Sequence, residues 1–431
     1  MQVKSHHIFY IVMAIGFLTM VSGSAAADTI NVDDSGSANY TTIQAAIDAA
    51  NNGDTVLVYP GIYIENVDVN KELTITSLSG NPNDTVVQAA DQTKHVFNVT
   101  SNNVTIEGFE ITGELWKQGI HRLGICLCGV EWCNINNNSL SGNRRGILLT
   151  TSSSNNIVFN NSILFSDSGI LCGGNNNIIK NNLALENGVG INVRGSHNNI
   201  TSNVASNNFI GVMVIDCNNN TISSNVVERN NGRHGIEISF ATNILLYNNS
   251  LKSNKNEGIC LDFSDNNTIE KNNISFSGTD GVFLLISNYN VLNNNTIMNN
   301  SNHGIALKDC DNTILSNNNV NSNNGDGIHI WEKGSEIDYD AIFAWGGSIG
   351  NILIDNIVSK NAGYGIYIGN FSVNNTLDNN TVDSNGKDDI HITDLENNII
   401  DTPSQKVPYP GLILIIVVFL VAYLCRRNSS K

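Results

Sequence analysis

The sequence predicts an all-β chain wound into a single-stranded parallel β-helix, a solenoid with coils of about 21–24 residues. Three observations predict it. First, one phrase recurs on a fixed count: His-Gly-Ile at 234–236, Glu-Gly-Ile at 257–259, Asp-Gly-Val at 280–282, His-Gly-Ile at 303–305 and Asp-Gly-Ile at 326–328. Gly235, Gly258, Gly281, Gly304 and Gly327 therefore stand 23 residues apart. Second, the first and third residues after each Gly are apolar (Ile236/Ile238, Ile259/Leu261, Val282/Leu284, Ile305/Leu307, Ile328/Ile330), while the second and fourth are mixed. Third, each unit then carries an Asn before a Thr or aliphatic residue (Asn243, Asn267, Asn290, Asn312) and an Asn pair (Asn248-Asn249, Asn272-Asn273, Asn294-Asn295, Asn317-Asn318).

A unit this short has no room for a strand and a helix, but it holds two or three strands with Asn and Gly corners. The alternation after each Gly buries one face and leaves the other open. Each inward aliphatic contributes roughly 1.5–3 kcal/mol on burial, so stacked coils make one long core. Asn suits the corners because it tolerates left-handed backbone, and its amides can hydrogen-bond along a stack of like residues. Its abundance is structural first.

Length alone would allow two or three globular domains in 431 residues, but the repeat argues for one long one. The formal charge of −17, with few charges of either sign, argues against a nucleic-acid partner. Cys126, Cys128 and Cys133 form a C-x-C-x4-C spacing, a weak metal or disulfide signal. Cys172 sits at an inward position, and buried small thiols are the default for the others.

In chain order, residues 1–27 read as a secretory signal peptide: Lys4, an apolar run from Ile8 to Val21, then small residues ending in Ala25-Ala26-Ala27. The β-helix is expected over 28–400, opening with a capping helix at 41–50. Ile43, Ala46, Ile47 and Ala50 share one face of that helix, and Thr41 and Gln44 have capping-box spacing. The open end of a solenoid exposes strand edges and core side chains, which such a helix would cover. Thr55–Tyr59, Tyr63–Val69 and Leu73–Thr76 read as strands.

The stretch Thr-Ile-Gln-Ala-Ala-Ile-Asp-Ala-Ala, followed by Gly-Asp-Thr-Val-Leu-Val-Tyr-Pro-Gly-Ile-Tyr, both within 42–63, resembles the N-terminal cap of pectin-lyase-like right-handed β-helix proteins. The Gly-Ile and Asn-Asn coils resemble the NosD-type periplasmic copper-binding family and related carbohydrate-binding and sugar-hydrolase repeats. The resemblance covers roughly residues 30–400 and implies a right-handed solenoid. It points to function only loosely, since these coils serve many activities.

Earlier landmarks at Gly124, Gly146, Gly169, Gly190 and Gly211 continue the period. A dozen coils at about 4.8 Å give a rod of about 60 Å. From Gly327 to Gly365 the gap is 38 residues, so one coil carries an insertion at 331–349 that includes Trp331, Tyr339 and Trp345. Insertions in repeats become loops on one flank, often the binding flank. A second irregularity at Gly113–Leu123 holds Trp116, Lys117, His121 and Arg122.

After a polar linker at 401–410, residues 411–431 read as a membrane anchor or sorting tail, with an apolar run Leu412–Leu424 before Arg426-Arg427. The arrangement resembles the tripartite tails of archaeal surface proteins, which are exchanged for a lipid anchor; a retained anchor is the alternative. Both put the rod on the outer face of the cell membrane, where sequons such as Asn98-Val99-Thr100 could be glycosylated.

Equal spacing places His234, Glu257, Asp280, His303 and Asp326 in one column, about 4.8 Å between neighbours. Two carboxylates so placed repel by roughly 3–4 kcal/mol at an effective dielectric of 20, so Glu257 or Asp280 should have a raised pKa. His303, between two acids, should favour its protonated form. Glu237, Asp262, Lys308, His329 and Trp331 are expected alongside, facing outward.

Three readings follow. The column is a set of polar turn residues; or it is a carbohydrate site, with Glu237, Asp262, Lys308, Asp326, His329, Trp331 and Trp345 as binding residues; or His234 and His303 ligate a divalent metal, copper or calcium. The expected role is a surface-anchored binding or structural rod with a polysaccharide or glycan partner. The alternatives are a polysaccharide lyase or hydrolase, with Glu257, Asp280 and His303 as catalytic candidates, and a NosD-like copper-binding accessory. The paired-acid motifs of polygalacturonases are absent; Asp388-Asp389 is a lone pair.

Overall fold

A computed structural model describes residues 27–113, 123–331 and 347–401. The expected signal segment up to residue 26, the tail from 402, and Trp116, Lys117, His121, Arg122, Tyr339 and Trp345 lie outside the described residues. Among the described residues, no helix is long and apolar enough to cross a membrane.

Three parallel sheets wrap one core. Sheet A has 16 strands, from Thr29–Val32 to Ile399–Ile400. Sheets B and C have 14 each, from Gly61–Ile64 to Thr381–Asp383 and from Val67–Val69 to Ile390–Ile392. Inward residues of successive coils pair in register: Ile236, Ile259, Val282, Ile305, Ile328 and Ile366 form one line in sheet C, every one fully buried. The rod is longer than expected, about 70 Å by strand spacing. Sheet A holds 16 strands where a dozen coils were expected, and one of the additional strands is Thr29–Val32, which precedes the helix and already pairs with Thr55–Val58.

The helix spans Ile43–Ala49, and its expected apolar face is buried at Ile43, Ala46 and Ile47. Its N-cap is Thr42 rather than Thr41, with the Thr42 hydroxyl accepting from the Ala45 N–H at 3.3 Å. A carboxylate from outside the helix completes that end. Glu65 accepts the N–H groups of Ile43 and Gln44 at 2.8 and 2.9 Å, where the helix dipole favours an anion. Glu65 is able to do so because the strand expected over Tyr63–Val69 breaks there into Gly61–Ile64 and Val67–Val69, in different sheets. Tyr63, Val67 and Val69 all point inward, so an unbroken period of two concealed the corner.

The Asn corners separate into two roles. Asn248, Asn294 and Asn317 adopt left-handed backbone, with φ of 54°, 56° and 55°. The next residues, Asn249, Asn295 and Asn318, are buried and hydrogen-bond along the rod. The ladder runs from Asn225 Nδ2 to Asn249 Oδ1 at 3.0 Å, then through Asn272 and Asn295 to Asn318 at 2.9–3.1 Å. The register holds in every one of these coils, but the pair Asn272-Asn273 is one residue out of step with it: Lys271 takes the left-handed corner and Asn272 the ladder.

Cys126 and Cys128 form a disulfide, while Cys133, Cys172, Cys217, Cys260 and Cys310 are buried thiols. The expectation of an open outward face on sheet C needs correcting. Glu237 is 6 % exposed, Cys260 7 % and Ala306 0 %. Their strand neighbours Met213 and Phe283 are bulkier and flank them on the same face.

Candidate functional site

The column exists as the spacing requires. Backbone N–H groups of Gly235, Gly258, Gly281, Gly304 and Gly327 donate to the carbonyls of Glu257, Asp280, His303, Asp326 and Tyr364 at 2.9–3.1 Å. Close coil packing makes Gly mandatory here. A Cβ on Gly281 would sit 2.4 Å from Ile297 Cγ2 and 2.7 Å from the Gly304 carbonyl oxygen.

Side chains of the column reach into neighbouring coils. His234 Nδ1 and Glu257 Oε2 are 2.5 Å apart. Asp280 Oδ1 accepts the His303 N–H at 2.8 Å, and His303 Nδ1 accepts the Asp326 N–H at 3.0 Å. Asp326 Oδ1 accepts the Tyr364 N–H at 2.7 Å, while its Oδ2 lies 2.6 Å from His329 Nδ1.

These contacts set the titration. Burial, opposed by the His303 N–H and assisted by the Glu257 charge, pushes Asp280 up to about 7, as expected of one member of the carboxylate pair. For Glu257 burial acts upward, but the hydrogen bond and charge of His234 outweigh it and the pKa falls. His303 departs from expectation: burial, with His329 beside it, lowers it to about 4 against the pull of Asp326. Its Nδ1 is already committed as an acceptor. Burial also acts upward on Asp326, but His329, the Tyr364 N–H and His303 hold its pKa low.

Outward of the column, Glu237 lies 3.6 Å from Arg233 through Oε1, and its Oε2 has no hydrogen-bond partner among the described residues. Burial and then the Glu237 charge raise the Asp262 pKa. The Lys308 ammonium stands 5.7 Å from the Trp331 ring centre. Rings continue from there: His329 is 4.2 Å from His303, 4.7 Å from Trp331 and 4.6 Å from Tyr367, and Tyr364 is 4.7 Å from His391. The structure thus joins Glu237, Asp262, Lys308, Asp326, His329 and Trp331 to the column, while Trp345 lies outside the described residues.

Sequence reasoning missed Tyr364, Tyr367 and His391. Tyr364 precedes Gly365 just as Asp326 precedes Gly327, so the column rule would have found it had the insertion not hidden the step. It also missed a ridge. Phe240, Phe263 and Ile286, again 23 residues apart, occupy consecutive corners with left-handed φ of 51°, 47° and 45°, and the two Phe rings stack at 5.2 Å. A β-branched residue in that region is a conformational outlier.

The expected metal pair is separated. His234 and His303 are three strand steps apart, about 14 Å, too far for one ion. His303, Asp326 and His329 instead each offer one ligand atom, all within 4.8 Å of one another. Two imidazoles and a carboxylate fit a divalent transition ion better than a soft monovalent one.

The family model described as "Right handed beta helix region" matches residues 190–340, and the one described as "Periplasmic copper-binding protein (NosD)" matches residues 47–230. The two matches fall on the coils of the three-sheet solenoid, whose fold is that of the right-handed β-helix superfamily. This β-helix protein is also 34% identical over 137 residues to a "Cell surface glycoprotein" of Methanothermus fervidus, a match covering 31% of this chain and 22% of that one. Among solved structures, the mannuronan C-5 epimerase AlgE4 A-module of Azotobacter vinelandii aligns at 17% identity, 85% and 94% coverage of this and that chain, and a TM-score of 0.47. The catalytic domain of a GH87 alpha-1,3-glucanase, in complex with tetrasaccharides, aligns at 15% identity, 81% and 64% coverage, and a TM-score of 0.48.

Proposed function

We propose that this β-helix acts at the cell surface as a polysaccharide-binding rod, and that its ligand lies along the outward face of sheet C. The observation that carries the reading is the continuous row of rings through His303, His329, Trp331, Tyr367 and His391, preceded on earlier coils of the same sheet by the carboxylates Asp280, Asp262 and Glu237. Sugars present apolar ring faces and hydroxyl rims, which stacking rings and acceptors match. Trp331 Nε1 is a buried donor with no partner among the described residues, and the Phe240–Phe263–Ile286 ridge runs along the three coils before the row, the Ile286 N–H donating to the Lys308 carbonyl. The surface location is supported by the name of the Methanothermus relative and by the signal and tail segments proposed at 1–27 and 411–431. The helix Ile43–Ala49 is the proposed cover of the open end.

A glycan array probed with the full chain tests this. Binding to a defined polysaccharide class, weakened at least tenfold in Trp331→Ala, is expected; absence of binding to any glycan would leave a structural rod. Asp280, held near neutrality beside Glu257, favours a polysaccharide lyase or hydrolase as the second reading. New reducing or unsaturated sugar ends, lost in Asp280→Asn, would establish it. A metal role would fall to His303, Asp326 and His329, where an ion would add positive charge to the ligand face. Copper and calcium titrations of the wild type and His329→Ala decide that point.

A further inference from the structure

Three of the chain's eight arginines, Arg144, Arg145 and Arg194, line one pocket of about 360 Å³. The pocket lies on sheet C, where Arg145 pairs in register with Ser168, and Leu171 with Asn192. It opens on the same outward face as the column, with Arg145 four strand steps, about 19 Å, before His234 and Asn192 two steps before Glu237. In a chain of net charge −17, such a concentration of cations is costly unless something uses it. Among the described residues, the only carboxylate lining the pocket is Asp167, more than half exposed and 3.7 Å from Arg144 Nε. Burial and then the charges of Arg144 and Arg194 depress the Arg145 pKa, against the pull of Asp167.

A second observation is independent of charge. Asn192 is 5 % exposed, lines the pocket, and its buried Oδ1 has no hydrogen-bond partner among the described residues. An orphaned buried acceptor costs about 1–3 kcal/mol, so a ligand hydroxyl or amide donor would relieve it. Ser168, 8 % exposed, adds a hydroxyl to the same wall.

We propose that this pocket binds the acidic group of a hydroxylated sugar, a carboxylate or sulfate ester held by Arg145 and Arg194, with a neighbouring sugar hydroxyl donating to Asn192 Oδ1. Guanidinium forks match both oxyanions, and the orphaned amide oxygen explains why a bare inorganic anion would not complete the site. The inference rests on the polysaccharide reading above and narrows it: the glycan is anionic, and it extends along the rod from the arginine pocket toward the column.

The test uses the full chain with three oligosaccharides of equal length, one of uronic acids, one neutral and sulfated, and one neutral and unsubstituted. Calorimetric titration is expected to show one of the acidic probes binding at least tenfold more tightly than the unsubstituted one. That preference should vanish in Arg145→Gln and reverse in Arg194→Glu, where the exposed position guards against misfolding; the acidic probe that binds distinguishes carboxylate from sulfate. Arg229→Gln, paired with Glu228 outside the pocket, is the charge control and should bind like the wild type. Equal affinity of Arg194→Glu and the wild type for the acidic probes overturns the inference, as does equal binding of all three probes. If only the unsubstituted probe binds, in a manner dependent on Trp331, the polysaccharide reading stands and this inference falls. If no probe binds and the glycan array is blank, both fall.

Discussion

His303 accepts at Nδ1 a 3.0 Å hydrogen bond from the backbone N–H of Asp326, the residue one coil further along the same column. The contact ties an ionisable side chain to the stacking of the coils. It also reverses a simple charge argument, because a ring that must accept at Nδ1 and is buried beside His329 resists protonation despite its acidic neighbours.

Opposite pH dependences follow for two members of the column. Folding raises Asp280 from 3.8 to about 7, so the stability it contributes is full below pH 4 and lost as the pH rises through 7. Folding lowers His303 from 6.5 to about 4, so the stability present above pH 6.5 is lost as the pH falls through 4. Asp280→Asn keeps an acceptor for the His303 N–H, and should stabilise the protein at pH 8 by on the order of 1–3 kcal/mol while changing little at pH 4. His303→Asn should flatten the loss of stability between pH 6.5 and 4. Denaturation midpoints across pH 4–8 check both, and parallel profiles in wild type and variants would refute the assignment.

The buried Asn ladder should be costly to interrupt. Asn272→Leu removes the acceptor of Asn249 and the donor to Asn295 in one change. A loss of about 2–4 kcal/mol is expected, with amide exchange accelerating first in the coils on either side. Uniform exchange along the rod would argue against local ladder energetics.

Gly281→Ala tests the close approach of coils beneath the column. Its Cβ would meet a backbone carbonyl as well as the Ile297 side chain, and backbone cannot step aside without spreading sheet C. A destabilisation of at least about 3 kcal/mol is expected. An unchanged melting temperature would show that the coils stack more loosely than described.

Ile286→Asn separates stability from binding. Asn accepts left-handed backbone at lower cost, so the variant should gain roughly 1 kcal/mol or hold level. Under the proposed function it should also bind glycan more weakly, because the ridge beside Phe263 is shortened. Tighter or unchanged binding would remove the ridge from the ligand surface.

Much of the fold was legible because a solenoid repeats one local solution. A 23-residue count with apolar residues after each Gly brings His234, Glu257, Asp280, His303 and Asp326 together without knowledge of any other coil. The misreadings come from places where that regularity is broken or where it disguises something. The corner at Glu65 kept an even period, the 38-residue coil hid Tyr364, and the arginines of the pocket sit in coils where the landmark residue before Gly changes chemical type.

The sequence by itself determined the stack, its register and the membership of the column, because parallel in-register strands convert chain distance directly into spatial distance. Only the tertiary structure decided the ionisation of Asp280 and His303, the burial of Glu237, and the meeting of Arg144, Arg145, Arg194 and Asn192 around one cavity. Those depend on how far each side chain is withdrawn from water and on what its neighbours in adjacent coils offer it. That is a property of side-chain packing, which the repeat does not encode.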